Sequence, residues 1–102
     1  MAVAKYLVTY HGEGMPSDPA MIEQAKSAFG AWLGEAGSAV LDPGAPVHYV
    51  ESVSISGTWE PADLGGYSII QADSPEEAKK LLSTHPFVTH GGTLAVHEVM
   101  TI

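Results

Sequence analysis

Apolar and polar positions recur along the chain with two different periods, which distinguish strands from helices. The run from Ala4 to Tyr10 is dense in aromatic and β-branched residues and predicts the first strand. Apolar residues then recur at helical spacing from about Pro19 to about Ala36, between an N-cap at Asp18 and a C-cap at Gly37. These signals predict a strand followed by a long helix.

The rest of the chain is predicted to contain two strands, a second helix and a last strand. Ser74-Pro75-Glu76-Glu77 has the sequence of a capping box and predicts the start of the second helix, which we expect to end before Pro86. A turn is predicted over Asp42-Pro43-Gly44-Ala45-Pro46, because Pro and Gly favour turn conformations. The remaining strands are predicted at 47–55, 67–72 and 93–100.

The resulting order, βαββαβ, indicates one α+β domain over residues 1–102. With right-handed crossovers, this order gives a ferredoxin-like antiparallel sheet with two helices on one face. Strands one and three carry apolar residues on both faces, so the helix-free face also needs a cover. We expect a homodimer whose two sheets close face to face as a dimeric α+β barrel. The alternative is a monomer with a partly apolar exposed sheet.

Motifs in the second half of the chain carry a resemblance to a known family. They are the strand after Gly65-Gly66, the capped helix, and His85-Pro86-Phe87-Val88 followed by the strand from Gly91-Gly92 to Met100. This pattern resembles the YCII-related (DGPF-type) family of small dimeric α+β barrel proteins. The resemblance covers nearly the whole chain and is strongest from Gly65 onward. It implies acid–base chemistry, of the lyase or isomerase type, on a small cyclic oxygenated compound in the barrel cavity.

The composition excludes several classes of partner. A formal net charge of −8, with only four Lys and Arg, argues against nucleic acid, because phosphate contacts depend on cationic side chains. No apolar run approaches the roughly 18 residues that a membrane span needs, and the N-terminus lacks the pattern of a secretion signal. We therefore expect a cytoplasmic protein without membrane contact. The absence of cysteine excludes thiol catalysis and thiolate metal sites.

His85 is the strongest single candidate for a catalytic residue. It precedes Pro86, where the second helix is predicted to end. A neutral imidazole at a pocket mouth can act as a general base near neutral pH. The alternative is that the His85 side chain caps the last carbonyl groups of that helix.

Asp42 and His48 complete the candidate catalytic set. Asp42 lies at the predicted turn, where a group from the first helix could meet it, but an Asp before Pro and Gly also serves as a turn former. Dimerisation could bring His48 near His97 of a second copy, because the strands predicted to contain them are the two sheet edges. The alternative is that these histidines lie on exposed edges and discourage further strand addition.

No metal or other cofactor is expected. Thiolates are missing, and His85 and His90 lack the usual spacing of paired metal ligands on a helix or strand. The favoured function is a small enzyme acting on a small-molecule ligand. The alternatives are a non-catalytic module that binds a small ligand or a protein and, less favoured, a haem-dependent monooxygenase of the same architecture, for which no histidine stands out as an axial ligand.

Overall fold

The computed structural model describes residues 3–12, 18–57, 59–61 and 63–100. Within these ranges the chain forms four strands and three helices. The strands are β1 (Ala4–His11), β2 (Val40–Pro46), β3 (Leu64–Ala72) and β4 (Thr93–Glu98). The helices are α1 (Pro19–Ala36), α2 (Pro75–Leu82) and the single turn α3 (Pro86–Thr89), and a 3₁₀ turn (Gly37–Ala39) follows α1.

The four strands form one antiparallel sheet in the order β2-β3-β1-β4. The strand β1 is central and pairs antiparallel with both β3 and β4, while β2 pairs antiparallel with β3. Each crossover helix therefore links two strands that have a third strand between them. The α+β fold and the ferredoxin-like topology predicted from the sequence are confirmed.

Local sequence signals explain where the two longer helices begin. Asp18 accepts a hydrogen bond from the amide of Ala20, and Ser74 accepts one from the amide of Glu77, so each helix has a side-chain cap followed directly by proline. Gly37 ends α1 with a φ of 57°, which favours a residue without a Cβ atom. These caps confirm the predicted helix starts and the end of α1.

The predicted second strand at 47–55 is wrong, because the described backbone over 47–57 forms no strand. The second strand is instead β2, which includes the proline- and glycine-rich segment 42–46 that is predicted to be a turn. Its pairing with β3 is irregular on both sides of Asp42, and the carboxylate of Asp42 accepts a hydrogen bond from the amide of Gly44. An edge strand tolerates such interruptions, since one side of its backbone needs no partner strand.

The core lies between one face of the sheet and the helices α1 and α2. Its buried apolar side chains are Tyr6, Val8, Trp32, Ile70, Ala78 and Leu82. Because side chains alternate along a strand, the residues of odd number in β1 project from the opposite, helix-free face. We call this the open face. Its members include Lys5, Leu7, Thr9 and His11 of β1, with their cross-strand neighbours Tyr67, Ile69, Ala95 and His97.

The segment between β2 and β3 extends away from the core. Its described part, 47–57 and 59–61, is here called the arm. A hydrogen bond from the Val47 amide to the Gly65 carbonyl closes its base, and the rings of Tyr49 and Trp59 lie 6.2 Å apart. Val53 is 99% exposed, and its apolar neighbours in the arm are also exposed. The arm therefore presents apolar side chains without burying them in its own chain.

Candidate functional site

A hydrogen-bonded group of three side chains lies at one end of the open face. Nδ1 of His11 lies 2.9 Å from Oδ1 of Asp63, and Nε2 of His11 lies 2.8 Å from the hydroxyl of Thr9. Thr9 and His11 share the open face because they are two residues apart on β1. Asp63 directly precedes β3, and the pairing of β1 with β3 brings His11 opposite Leu64. The sheet itself therefore assembles this group.

The donors and acceptors of this group follow from its chemistry. An ionised carboxylate only accepts, so Nδ1 of His11 carries the proton that it donates to Asp63. In the neutral ring, Nε2 then has a free lone pair and accepts the hydroxyl proton of Thr9. The order Asp63, His11, Thr9 thus matches the carboxylate–imidazole–hydroxyl relay in which a carboxylate fixes the tautomer of a general base.

Solvent and ligands can reach this group, since the side chain of His11 is 25% exposed and that of Asp63 is 70% exposed. Next to the group, the open face becomes apolar. Tyr67 lies directly across from Thr9 on one side and Ala95 on the other, while Leu7 and Ile69 form the next cross-strand pair. The site thus combines an oriented base with a neighbouring apolar surface formed by Leu7, Ile69 and Ala95, which we call the apolar floor.

His85 lies on the other side of the sheet, in the helix layer. It is 2% exposed and packs against the rings of Trp32 and Phe29, with centroid distances of 4.5 Å and 5.4 Å. Burial among these rings lowers the pKa of His85 from its ordinary value of 6.5 to about 4. Its imidazole is therefore neutral near pH 7.

The two nitrogens of His85 have separate partners. Nδ1 accepts the amide hydrogen of Phe87 at 3.0 Å and so caps the first turn of α3. The single proton of the neutral ring is consequently on Nε2, which donates to the hydroxyl of Tyr10 at 2.9 Å. The predicted alternative role, a cap on the last carbonyl groups of α2, is wrong for this side chain, because the imidazole caps the start of α3.

The hydrogen bonds continue in one direction beyond Tyr10. The Tyr10 hydroxyl lies 2.8 Å from that of Ser68, which donates at 2.8 Å to the carbonyl of Pro43. Because Ser68 uses its proton on Pro43, Tyr10 must donate to Ser68. We call the series His85, Tyr10, Ser68 and Pro43 the buried chain. Burial also raises the pKa of the Tyr10 phenol, and the bond to Ser68 opposes this shift. The buried chain thus consists of neutral groups with every proton assigned.

The structure places the other two predicted site residues at the edge of the sheet. Asp42 is exposed on β2, and its carboxylate accepts a hydrogen bond from the amide of Gly44 at 2.8 Å. His48 is exposed just beyond β2. Among the described residues, no hydrogen bond or ring contact joins His85, Asp42 and His48 to one another, and their catalytic roles stay predictions.

The sequence patterns do not predict the Asp63–His11–Thr9 group. The predicted first strand ends at Tyr10, and extending it by one residue would put Thr9 and His11 on one face, which is a usable signal. Asp63, however, is 52 positions from His11, and only the register between β1 and β3 brings the two together. No cluster of three or more His, Cys, Asp or Glu that would hold a metal occurs in the part of the chain that the structure describes. No described helix is both long and apolar enough to cross a membrane.

Comparison with known proteins shows the fold of this chain. No protein-family model matches the sequence, and the search of curated proteins found no match. Among solved structures, the chain is similar to 5-chloro-2-hydroxyhydroquinone dehydrochlorinase (TftG) from Burkholderia phenoliruptrix AC1100, in complex with 2,5-dihydroxybenzoquinone. The TM-score is 0.63 at 16% sequence identity, over 96% of this chain and 95% of that one. This likeness establishes a distant relationship of fold.

Proposed function

We propose that this protein is a YCII-like enzyme that performs acid–base chemistry, of the lyase or isomerase type, on a small organic molecule bound at the open face. The observation that carries the proposal is the hydrogen-bonded order Asp63, His11, Thr9. The structural similarity to a dehydrochlorinase supports the same class of reaction. The fold alone does not determine the reaction, so the argument depends on the side chains.

In the proposed reaction, Nε2 of His11 takes a proton from an acidic C–H or O–H group of the substrate. The Thr9 hydroxyl either rotates away or passes the proton on, since it can accept a hydrogen bond while it donates one. The Asp63 carboxylate stabilises the imidazolium that results. In an isomerisation, His11 returns the proton to another atom of the substrate. In an elimination, the electron pair left on the substrate forms the new double bond as the leaving group departs with its own pair.

We also propose that a second copy of the chain covers the open face, which gives a homodimer. The apolar floor around Leu7 and Ile69 has no helix above it, and the arm exposes further apolar side chains. Two apolar surfaces on one chain can cover each other around a twofold axis. Enclosure by a second copy would turn the open face into a cavity and shield His11 from bulk water.

Solvent exchange tests the proposed chemistry before a substrate is known. Neutral cyclic ketones and hydroxylated aromatic compounds are incubated with the protein in D₂O, and NMR measures deuterium uptake at their acidic positions. For a compound that exchanges, His11→Gln should slow the catalysed rate by about 100-fold or more, the usual contribution of a general base. Asp63→Asn should slow it as well, because a neutral amide cannot stabilise the imidazolium as the carboxylate does and can donate its N–H to Nδ1, which favours the wrong tautomer.

His90→Gln is the matched control, since His90 is also an exposed histidine but lies after α3, with its Nδ1 2.7 Å from the Pro86 carbonyl. It should keep the full rate. Asp42→Asn and His48→Gln test the remaining catalytic predictions in the same assay. Catalysed exchange that survives His11→Gln would contradict the proposed site.

The alternative function is ligand binding without turnover. The 70% exposure of Asp63 favours it, because a largely solvated carboxylate interacts less strongly with the imidazole. Ligand-dependent NMR shifts of His11 without deuterium uptake in any bound compound would support this second function over the first.

A further inference from the structure

We infer that the site at His11 selects neutral substrates and excludes those that carry a carboxylate or phosphate. This inference rests on the proposed function and adds the charge class of the substrate. It comes from the positions of all four cationic side chains of the protein, which has no arginine. None of them is placed to pair with an anion held at His11.

Three of the four lysines belong to the helix layer. Lys26 is on α1, and Lys79 and Lys80 are on α2, all of them exposed. The sheet therefore lies between these cations and the open face. Lys5 is the single lysine on the open face, and it is six positions from His11 along β1. At about 3.4 Å per residue, these two residues are about 20 Å apart, well beyond the Debye length of about 8 Å at physiological ionic strength.

The charge that does lie at the site is negative. Asp63 contacts His11 directly, and residues 27–78 contain eight Asp and Glu without a single Lys or Arg. A substrate carboxylate would thus add a second negative charge beside Asp63, within a protein of net charge −8. Beside Asp63, a positive charge can develop on His11 itself, after the ring has taken the substrate proton. His97, the other histidine of the open face, is opposite Leu7, four positions from His11 along β1.

Helix N-termini offer no substitute for a cation here. Backbone amides at the start of a helix can bind anions when they lack other partners. The three described helices begin after Asp18, Ser74 and His85, and each of these side chains already accepts a hydrogen bond from an amide of the first turn. An anion at this site therefore meets no nearby side-chain cation, and at each helix start a side chain of this protein already occupies one of the free amides.

The rest of the site suits a neutral, flat molecule with a hydroxyl or an acidic C–H group. The relay of Thr9 and His11 needs a proton donor from the ligand, and the floor at Leu7, Ile69 and Ala95 provides apolar contact. Hydroxylated or carbonyl-bearing cyclic compounds meet both requirements. Their negative charge would appear only during the reaction, next to the imidazolium of His11.

A matched pair of probes tests the inference. The compounds 4-hydroxybenzamide and 4-hydroxybenzoate share a ring and a hydroxyl group and differ by one negative charge. Each is titrated into the full chain while NMR follows the imidazole signals, with the His11 signal identified by its loss in His11→Gln. The amide should bind at least tenfold more tightly than the carboxylate, equivalent to about 1.4 kcal/mol. In Asp63→Asn this ratio should fall, because the repelling carboxylate is gone.

The outcomes separate the inference from the proposed function. Carboxylate binding at His11 as tight as that of the amide would overturn the charge class and leave the site in place. Carboxylate binding that disappears in Lys5→Gln would overturn it too, by showing that a second copy supplies the missing cation. If neither probe shifts the His11 signal, the site itself is refuted, and the inference with it.

Discussion

Replacement of His85 separates the two hydrogen bonds that hold its ring, because the two ring nitrogens have different partners. In His85→Asn, the amide oxygen can take the place of Nδ1 and still cap α3 through Phe87. In His85→Gln, the longer side chain can place an amide nitrogen near the position of Nε2 and still donate to Tyr10. His85→Ala removes both interactions and leaves a cavity beside Trp32 and Phe29.

These contacts set the expected order of stability. Losing the cap alone, in His85→Gln, should lower the free energy of unfolding by about 1 kcal/mol. His85→Asn should cost about 2 to 3 kcal/mol, because Tyr10 loses its buried donor and most of the ring volume is missing. His85→Ala should cost about 3 to 5 kcal/mol, within the range for large-to-small changes in a core. Urea unfolding followed by circular dichroism measures all three differences.

Stability should also depend on pH through His85. Because burial lowers its pKa to about 4 in the folded state, the unfolded chain binds a proton between about pH 6.5 and 4 that the native chain does not. The free energy of unfolding should therefore be highest above pH 6.5. It should fall by about 1.4 kcal/mol per pH unit as the pH drops through this window, and the loss of the His85 contribution is complete below about pH 4. His85→Asn should lack this contribution.

Three results would contradict this account of His85. If His85→Ala lowered the free energy of unfolding by less than about 1 kcal/mol, the buried chain would not stabilise the fold as its contacts indicate. If His85→Ala kept its stability but lost catalysed deuterium exchange, the predicted general-base role would hold instead. An equal loss in all three variants would show that the two nitrogens do not act separately.

Two further predictions concern the sheet. Ile69→Lys places a charge on the open face and should convert a dimer to a monomer of 10.7 kDa in sedimentation. The control Met21→Lys, at an exposed position on α1, should not change the mass. A native protein that is already monomeric would contradict the dimer. Gly44→Ala should lower the free energy of unfolding by more than about 2 kcal/mol, because the φ of Gly44 is 74° and a Cβ atom there would clash with the Tyr67 carbonyl. Gly34→Ala, in open space on α1, should raise it by up to about 1 kcal/mol. Equal unfolding midpoints for the two variants would contradict this prediction.

The parts of the fold that could be predicted depend on neighbouring residues. Asp18 before Pro19, and Ser74 before Pro75, specify helix starts by contacts within a few positions, so the sequence contains the whole signal. The strand β2 depends on its partner instead. Residues 42–46 are of types that favour turns, and pairing with β3 makes them part of a strand, whereas the alternating residues of the arm have no neighbouring strand in the described structure.

The candidate site was harder to predict for the same physical reason. His11 ends β1 one residue beyond the strand predicted over Ala4 to Tyr10, and its partner Asp63 follows a segment whose structure was predicted wrongly. The sequence predicts a catalytic role for His85, yet the burial of this residue depends on Trp32 and Phe29 of a distant helix. Sequence patterns therefore single out the histidine that is buried in the helix layer rather than the one on the open face.

The buried chain also bears on how the protein folds. Its four members come from β1, β2, β3 and the start of α3, so a partly assembled sheet leaves at least one of these polar groups buried without a partner. An intermediate that pairs only β1 with β3 would hold Tyr10 and Ser68 together but lack both ends of the series. Such incomplete states are penalised, which favours a single all-or-none transition between the unfolded and the native chain.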